Sequence, residues 1–397
     1  MKMIKAAILG FGVVGSGVYE ILKGNASGIA KKTKEEIEVK YILDIRDFSD
    51  REDAHIFTKN FDDILNDEEV KVVVEVMGGV EPAYTYTKAA LLAGKNVVTS
   101  NKELVAKCGT ELLRLAKENS VNYMFEASVG DGIPIIRPLA TCLAANNVKE
   151  IYGILNGTTN YILTQMFENG VSFDDALSDA QRLGYAERNP AADVEGFDAC
   201  RKIAILSSLA SGKYINSELI LTEGITKITK TDVKMAAKLD CVIKLIGYAK
   251  LDGEKVFARV SPMLIPKSSL ISGVSDVFNA ILVNSDFLGE AIFYGRGAGK
   301  LPTASAVCAD VIDCVKHVNI NRSFVWEDKG TDFIVSADNT ENRYFVRTSD
   351  SSLMEMFDGA ELVGEENGEI VFVTAKTNEK EFMSKAKGKC EYLRMMD

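Results

Sequence analysis

The segment KAAILGFGVVGSGVYEILKG, residues 5–24, does more than any other to limit the folds open to this chain. An apolar run ends at Gly10, glycines recur at 12 and 15, and a helical pattern follows. In a strand–turn–helix unit these glycines allow a tight turn and close backbone approach to a pyrophosphate at a helix N-terminus. A purely structural glycine turn uses the same residues, but the strand before and the helix after favour dinucleotide binding. The loop then comprises Gly10, Phe11, Gly12, Val13, Val14 and Gly15.

The pattern continues as VKVVVEVMGG, EPAYTYTKAALLAGK, NVVTSNK, ELVAKCGTELLRLAKEN and VNYMFEAS. Short β-branched runs alternating with helical ones predict a doubly wound parallel sheet buried on both faces, ending near residue 130. Gly78 and Ser100–Asn101–Lys102 directly follow strands, at the carboxyl edge where such sheets bind ligands. Lys102 is a site lysine on that placement and an ordinary solvated lysine without it. The strand IEVKYILDIRD ends in Asp44 and Arg46, which point in opposite directions. An acid suits the ribose hydroxyls of NAD, an arginine the 2′-phosphate of NADP, so the cofactor is NAD or NADP.

After Ser128 the pattern changes to glycine-rich turns, and a second domain is expected. Gly157, Thr158, Thr159 and Asn160 suit a polar ligand and equally suit a helix cap. In LGYAERNPAADVEGFDACRKIAIL, residues 183–206, four acids precede a helical run containing Lys202. A helix from Val194 would put Val194, Asp198, Lys202, Ile205 and Leu209 on one stripe. A carboxylate and an ammonium among apolar neighbours point to a site where they pair with each other or with a ligand; the plainer reading is a surface salt bridge. Further on, a turn through Gly299 opens an alanine-rich helix, expected over 303–317, that packs back on the first domain.

With 46 basic and 57 acidic residues and a formal charge of −11, the chain does not read as a nucleic-acid or acidic-membrane binder. It shows neither a signal-peptide pattern nor a run of the ~20 apolar residues a membrane span requires, and a cytoplasmic protein acting on small solutes is expected. Seven scattered cysteines, none spaced CxxC, argue against disulfides and structural zinc. With only His55 and His317, acid–base work falls to Lys, Asp, Glu or Tyr.

Six ordered segments together resemble the homoserine dehydrogenases: GFGVVGSG, TSNKELVA, EASVGDGIPIIRPL, ILNGTTNYILTQM, the 183–206 block and GRGAGKLPTASAV. The resemblance implies an N-terminal Rossmann-type domain over 1–130, a homoserine-binding catalytic and dimerisation α+β domain over 131–325, and a shortened ACT-like α+β region over 330–397. It implies reversible NAD(P)H-dependent reduction of L-aspartate 4-semialdehyde to L-homoserine, in threonine, methionine and isoleucine biosynthesis. By the same resemblance Lys202 is the proton donor and Lys102 a second catalytic lysine that also meets the cofactor. Glu187 and Asp198 bind substrate, with Gly157, Thr158 and Asp193 beside them, while Gly184, Glu187 and Gly299 join the cofactor site. A lysine suits this work because partial burial and a cationic neighbour bring its pKa toward neutrality.

The resemblance also implies a monovalent cation, sodium, held at Glu126, Val129, Asp131 and Ile133, with Asp131 standing where glycine or alanine is usual. It implies a homodimer or homotetramer. The tail departs from the full ACT pattern in its reduced first helix, which favours a structural or oligomerising role over effector sensing. The short lead before the glycine loop argues against a fused kinase. An aspartate-semialdehyde dehydrogenase would need a cysteine nucleophile with a histidine base, which the chain lacks in sequence proximity. A catalytically idle NAD(P)-binding sensor with an effector-binding tail is the other alternative, and it leaves the lysine–acid set without purpose.

Overall fold

A computed structural model describes residues 3–322 and 324–396. Met1, Lys2 and Asp397, the outermost positions of the expected domains, lie outside the described residues, as does Ser323. The chain divides into two compact units, 1–145 with 208–217 and 296–329, and 146–207 with 218–295 and 330–397.

The first unit holds strands β1 (Met3–Leu9), β2 (Glu36–Leu43), β3 (Phe57–Thr58), β4 (Val70–Glu75), β5 (Asn96–Thr99) and β6 (Tyr123–Met124). Its helices before residue 145 are α1 (Val13–Gly24), α2 (Ala26–Thr33), α3 (Asp62–Leu65), α4 (Ala83–Leu92) and α5 (Lys102–Glu118). The strands form one parallel sheet in the order β3-β2-β1-β4-β5-β6. This is the doubly wound arrangement, whose strand order reverses between β1 and β4 and so opens a crevice at their carboxyl ends. Ala6, Ile8, Val72 and Val74 alternate onto one face and share a core with Val18 and Leu22 of α1. The later helix that follows Gly299, here named for its place in the chain as α11 (Lys300–Lys316), supplies Ala304, Val307 and Val311 to the same core. Gly17 makes that approach possible, because a Cβ there would lie 2.9 Å from the Ala304 methyl.

The second unit begins with β7 (Val148–Ile154), α6 (Gly157–Asn169), α7 (Phe173–Arg182), α8 (Ala191–Val194) and α9 (Phe197–Ser211), the last turn of α9 falling in the first unit. It continues with β8 (Leu221–Thr222), α10 (Lys230–Lys238), β9 (Cys241–Asp252), β10 (Lys255–Pro266), β11 (Phe278–Ser285) and β12 (Gly289–Arg296). The tail carries β13 (Glu341–Asn342), β14 (Tyr344–Thr348), α12 (Ser352–Glu355), β15 (Glu361–Glu366), β16 (Glu369–Val373), β17 (Thr377–Asn378), α13 (Glu379–Ala386) and β18 (Glu391–Met395). Nine strands run β12-β11-β7-β9-β10-β18-β14-β16-β15, with β8 paired to β10.

Three consecutive domains were the sequence expectation; the two units partition the chain differently. The tail does build a βαββαβ arrangement, β18-β14-β16-β15, but its last strand pairs in parallel with β10 through Met263–Arg394 and Leu264–Met395. It therefore extends the second unit's sheet. No helix among the described residues is long and apolar enough to cross a membrane.

Candidate functional site

In the first unit the glycine loop closes on itself. Gly10, at φ +96°, donates its N–H to Leu43 O at 2.8 Å, and a Cβ on Gly15 would lie 1.9 Å from Gly10 O. Gly12 caps α1, and a Cβ there would meet nothing within 4 Å, so the loop presents open backbone at a helix N-terminus. Val13 is exposed and Val14 half-buried on the first turn, while Phe11 turns inward against Phe48 and Phe57.

Asp44 and Arg46, left as opposed indications in the sequence, are partners. The Arg46 guanidinium donates to Asp44 at 2.8 and 3.0 Å and to Phe11 O at 2.8 Å; Phe11 N–H donates to Asp44 at 2.8 Å. That arginine, opposed by partial burial, holds the Asp44 carboxyl well below the usual range. Gly78 and Gly79 take positive φ after β4. Ser100 is half-buried and Lys102 opens α5, whose cap Asn101 accepts from Leu104 N–H and donates to Gly79 O. Glu75, unnoticed in the sequence, ends β4 buried, with its pKa raised by burial against hydrogen bonds from Thr99 and Met77 N–H.

Glu126 is 2% exposed and its carboxylate accepts from the N–H groups of Ile135, Ile136 and Arg137 at 2.6–2.9 Å and from Arg137 Nε at 3.2 Å. Arg137 also donates to Asp310 at 2.8 Å, and burial pushes Asp310 up to about 8 against that arginine's pull. A carboxylate so saturated with donors does not fit a cation, which leaves backbone oxygens of the 126–133 loop as the donor set. Val129 and Ile133 are buried there, and Asp131 adopts φ +51°. Among the described residues no cluster of three or more His, Cys, Asp or Glu side chains is placed to hold a metal.

In the second unit the acid–lysine block folds onto the start of α6. The expected helix from Val194 is interrupted: α8 ends at Val194 and α9 begins at Phe197, because Gly196 takes φ +84°. Asp198 and Lys202 stay one turn apart on α9, 3.3 Å between charges, with side chains 6% and 4% exposed. Lys202 Nζ donates to Leu155 O at 2.9 Å. The surface-salt-bridge reading is thereby excluded. Asn156, which sequence reasoning passed over, gathers the acids: its amide donates to Asp193 at 2.7 Å and Asp198 at 3.0 Å, while its oxygen caps α6 at Thr159 N–H. Its signal was the capping position before Gly157-Thr158-Thr159.

Gly157 needs to be glycine, since a Cβ would stand 2.8 Å from Val277 O. Thr158 donates to Tyr185 O at 2.6 Å, tying α6 to the 183–190 loop. On that loop Gly184 has φ +79° and Glu187 is exposed, not drawn into the Asp193–Asp198 group. Gly299, at φ +126°, starts α11 in the first unit.

This arrangement offers a nucleotide loop in one unit and a buried ammonium–carboxylate pair in the other. Residues 10–126 match the model described as the homoserine dehydrogenase NAD binding domain, and residues 134–312 match the homoserine dehydrogenase model. A homoserine dehydrogenase of Lactococcus lactis is 40% identical over 369 residues, covering 89% of this chain and 86% of that protein. The chain belongs to the homoserine dehydrogenase family. As a homoserine dehydrogenase it is an NAD(P)-dependent oxidoreductase, and its fold agrees with solved members. The Thiobacillus denitrificans homoserine dehydrogenase crystal structure matches with TM-score 0.92 and 36% identity over 100% of this chain and 99% of that one. A hyperthermophilic archaeal homoserine dehydrogenase in complex with NADPH matches with TM-score 0.66 and 30% identity over 79% of this chain and 97% of that one.

Proposed function

We propose that this chain carries out homoserine dehydrogenase chemistry, the reversible reduction of L-aspartate 4-semialdehyde to L-homoserine, with Lys202 as proton donor. The buried Lys202–Asp198 pair, held by Leu155 O and Asn156, carries this reading. An ammonium is costly to bury, and what sets this one apart is that it stays at 4% exposure paired with a carboxylate within the acid-rich 183–206 block. Bound NAD(P)H supplies the hydride to the carbonyl carbon. Lys202 donates a proton to the oxygen that gains charge, and takes it back in the oxidation direction. Asp198 and Asp193 receive the substrate ammonium; Glu187 joins them from its loop, and Gly157 and Thr158 shape the neighbouring wall. Lys102 is the second lysine, serving both substrate and cofactor.

For the cofactor, the open backbone at Gly12 fits a pyrophosphate; Phe11, Val13, Val14, Gly78, Ser100 and Gly299 are the first unit's other cofactor residues, and Gly184 and Glu187 are the second unit's. Asp44 and Arg46 set preference for NAD or NADP. A sodium ion would use the backbone oxygens of Glu126, Val129, Asp131 and Ile133, and no step runs through it. The protein works in the cytoplasm as a homodimer or homotetramer, and its tail is an ACT-like module with a structural role.

The test is the initial rate of nicotinamide reduction with L-homoserine at alkaline pH, run with NAD and NADP in parallel and with sodium or potassium. Turnover supports the reading and ranks the cofactors. Folded protein that binds a cofactor without turnover supports the idle sensor instead.

A further inference from the structure

A cavity of about 630 Å³ lies within the second unit, against β7, β9 and β10 on one side and β13, β17 and the end of β18 on the other. None of the residues assigned above to substrate or cofactor lines it. Arg259, which does, is 1% exposed, yet its Nε–H finds no partner among the described residues. Its remaining contacts are weak: one nitrogen reaches Asn342 Oδ1 at 3.3 Å and Glu379 only at 3.9 Å.

Glu379 cannot answer that need, because it is already spent. Arg394 takes both its oxygens, and Tyr344 and Asn342 donate to Oε2 at 2.6 and 2.9 Å. Burial first, and then the nearby Arg394, make a second buried guanidinium unfavourable, and against the pull of Glu379 and Glu223 Arg259 is pushed down to about 10. Tyr248 and Phe257 lie 5.8 and 5.5 Å from it, contacts that help a cation without using its N–H groups. Buried donors are as a rule satisfied, and an unmet one beside a cavity marks a place where something else completes it. Lys250, Lys255 and Lys376 line the same cavity with Arg259, against the carboxylates of Glu150, Asp252 and Glu341, Glu150 standing opposite Lys250 in the β7–β9 register, so the lining carries one more cation than acid.

We propose that this cavity is a binding site for a small anion, a carboxylate or a phosphate, which takes the unmet Arg259 N–H and the charge of Lys250. Charge-assisted hydrogen bonds from a guanidinium to such oxygens are among the strongest available to a protein. The site is separate from the reaction chemistry, so the proposal stands whether or not the assignment of Lys202 holds.

Calorimetric titration of the full chain with inorganic phosphate and, separately, acetate tests it, at constant ionic strength in chloride and with saturating NADP to fill the nucleotide loop. Saturable binding of one probe is expected, weakened at least ten-fold in Arg259→Met and several-fold in Lys250→Glu; the probe that binds identifies the class. Lys250 is exposed, so Lys250→Glu keeps the test decisive if Arg259→Met fails to fold. Absence of saturable binding by either probe overturns the proposal, as does equal binding by wild type and every folded variant.

Discussion

Asp198 and Lys202 form a buried ion pair one helical turn apart, 3.3 Å between charges. Lys202→Ala is expected to lower kcat by about two to four orders of magnitude, the usual contribution of a positioned acid–base group. Asp198→Asn should chiefly raise KM for homoserine, and cofactor affinity should stay near wild type in both. Either change unpairs a buried charge at a cost of about 3–5 kcal/mol, so kinetics belong with urea unfolding of the same samples. Substantial turnover by folded Lys202→Ala protein would remove the lysine from proton transfer.

Asn156→Ala should damage substrate capture without touching any charged residue. Its amide fixes Asp193 and Asp198 at 2.7 and 3.0 Å, and its oxygen caps α6. Loss of the cap alone costs about 1 kcal/mol. Leaving two carboxylates without their common donor should raise KM for homoserine about ten-fold, with a smaller effect on kcat. Asn156→Ser keeps a capping oxygen without adding charge beside the two acids, so it should recover the cap's share of stability while failing to recover KM; recovery of both would reduce Asn156 to a cap.

The first unit was largely legible because its information is local. Strands β1, β2, β4, β5 and β6 each lie in an apolar run followed by a glycine or polar turn, whereas β3, only Phe57–Thr58, carries no such local signal. The Asp198–Lys202 pairing was legible for the same reason, being set by one helical turn. What lay hidden depends on distant partners. Asn156 reads as a cap until residues 193 and 198 fold onto it, and nothing local to Glu126, a cation ligand only by family resemblance, shows that the N–H groups of 135–137 surround its carboxylate. The break at Gly196 was missed because a glycine inside a helical pattern does not announce a positive φ. The tail read as a domain of its own since nothing local in CEYLRMM reveals that β18 pairs with β10.

Lys244 should give stability a distinctive slope at high pH. It is 5% exposed, donates to Asn160 Oδ1 at 3.0 Å and Val274 O at 2.6 Å, and burial lowers its pKa to about 8. Between that value and the ordinary lysine value of 10.5, the unfolded chain holds a proton that the folded chain has released. Stability from this residue therefore rises with pH across that window, by about 3 kcal/mol in all. Urea unfolding from pH 8 to 10.5 should show the rise in wild type relative to Lys244→Met. Parallel curves for the two proteins would mean that Lys244 keeps its ordinary pKa.

Two glycines of one loop should fail in different ways. At Gly15 an added methyl would stand 1.9 Å from Gly10 O, so Gly15→Ala must move the turn off the helix. It should lose stability by about 1–3 kcal/mol as an overpacked position does, and lose cofactor binding with it. At Gly12 the methyl meets no protein atom within 4 Å, and φ −74° with ψ −154° lies only a little past the extended region open to alanine. Gly12→Ala should therefore unfold within a few degrees of the wild-type temperature, and its methyl obstructs only what approaches from outside. If that is the pyrophosphate, the Kd for NADPH, read by fluorescence titration, rises about ten-fold or more while Tm holds. A Gly12→Ala protein with unchanged NADPH affinity would leave the loop as a structural turn and shift the search for the phosphate site to the glycines after β4.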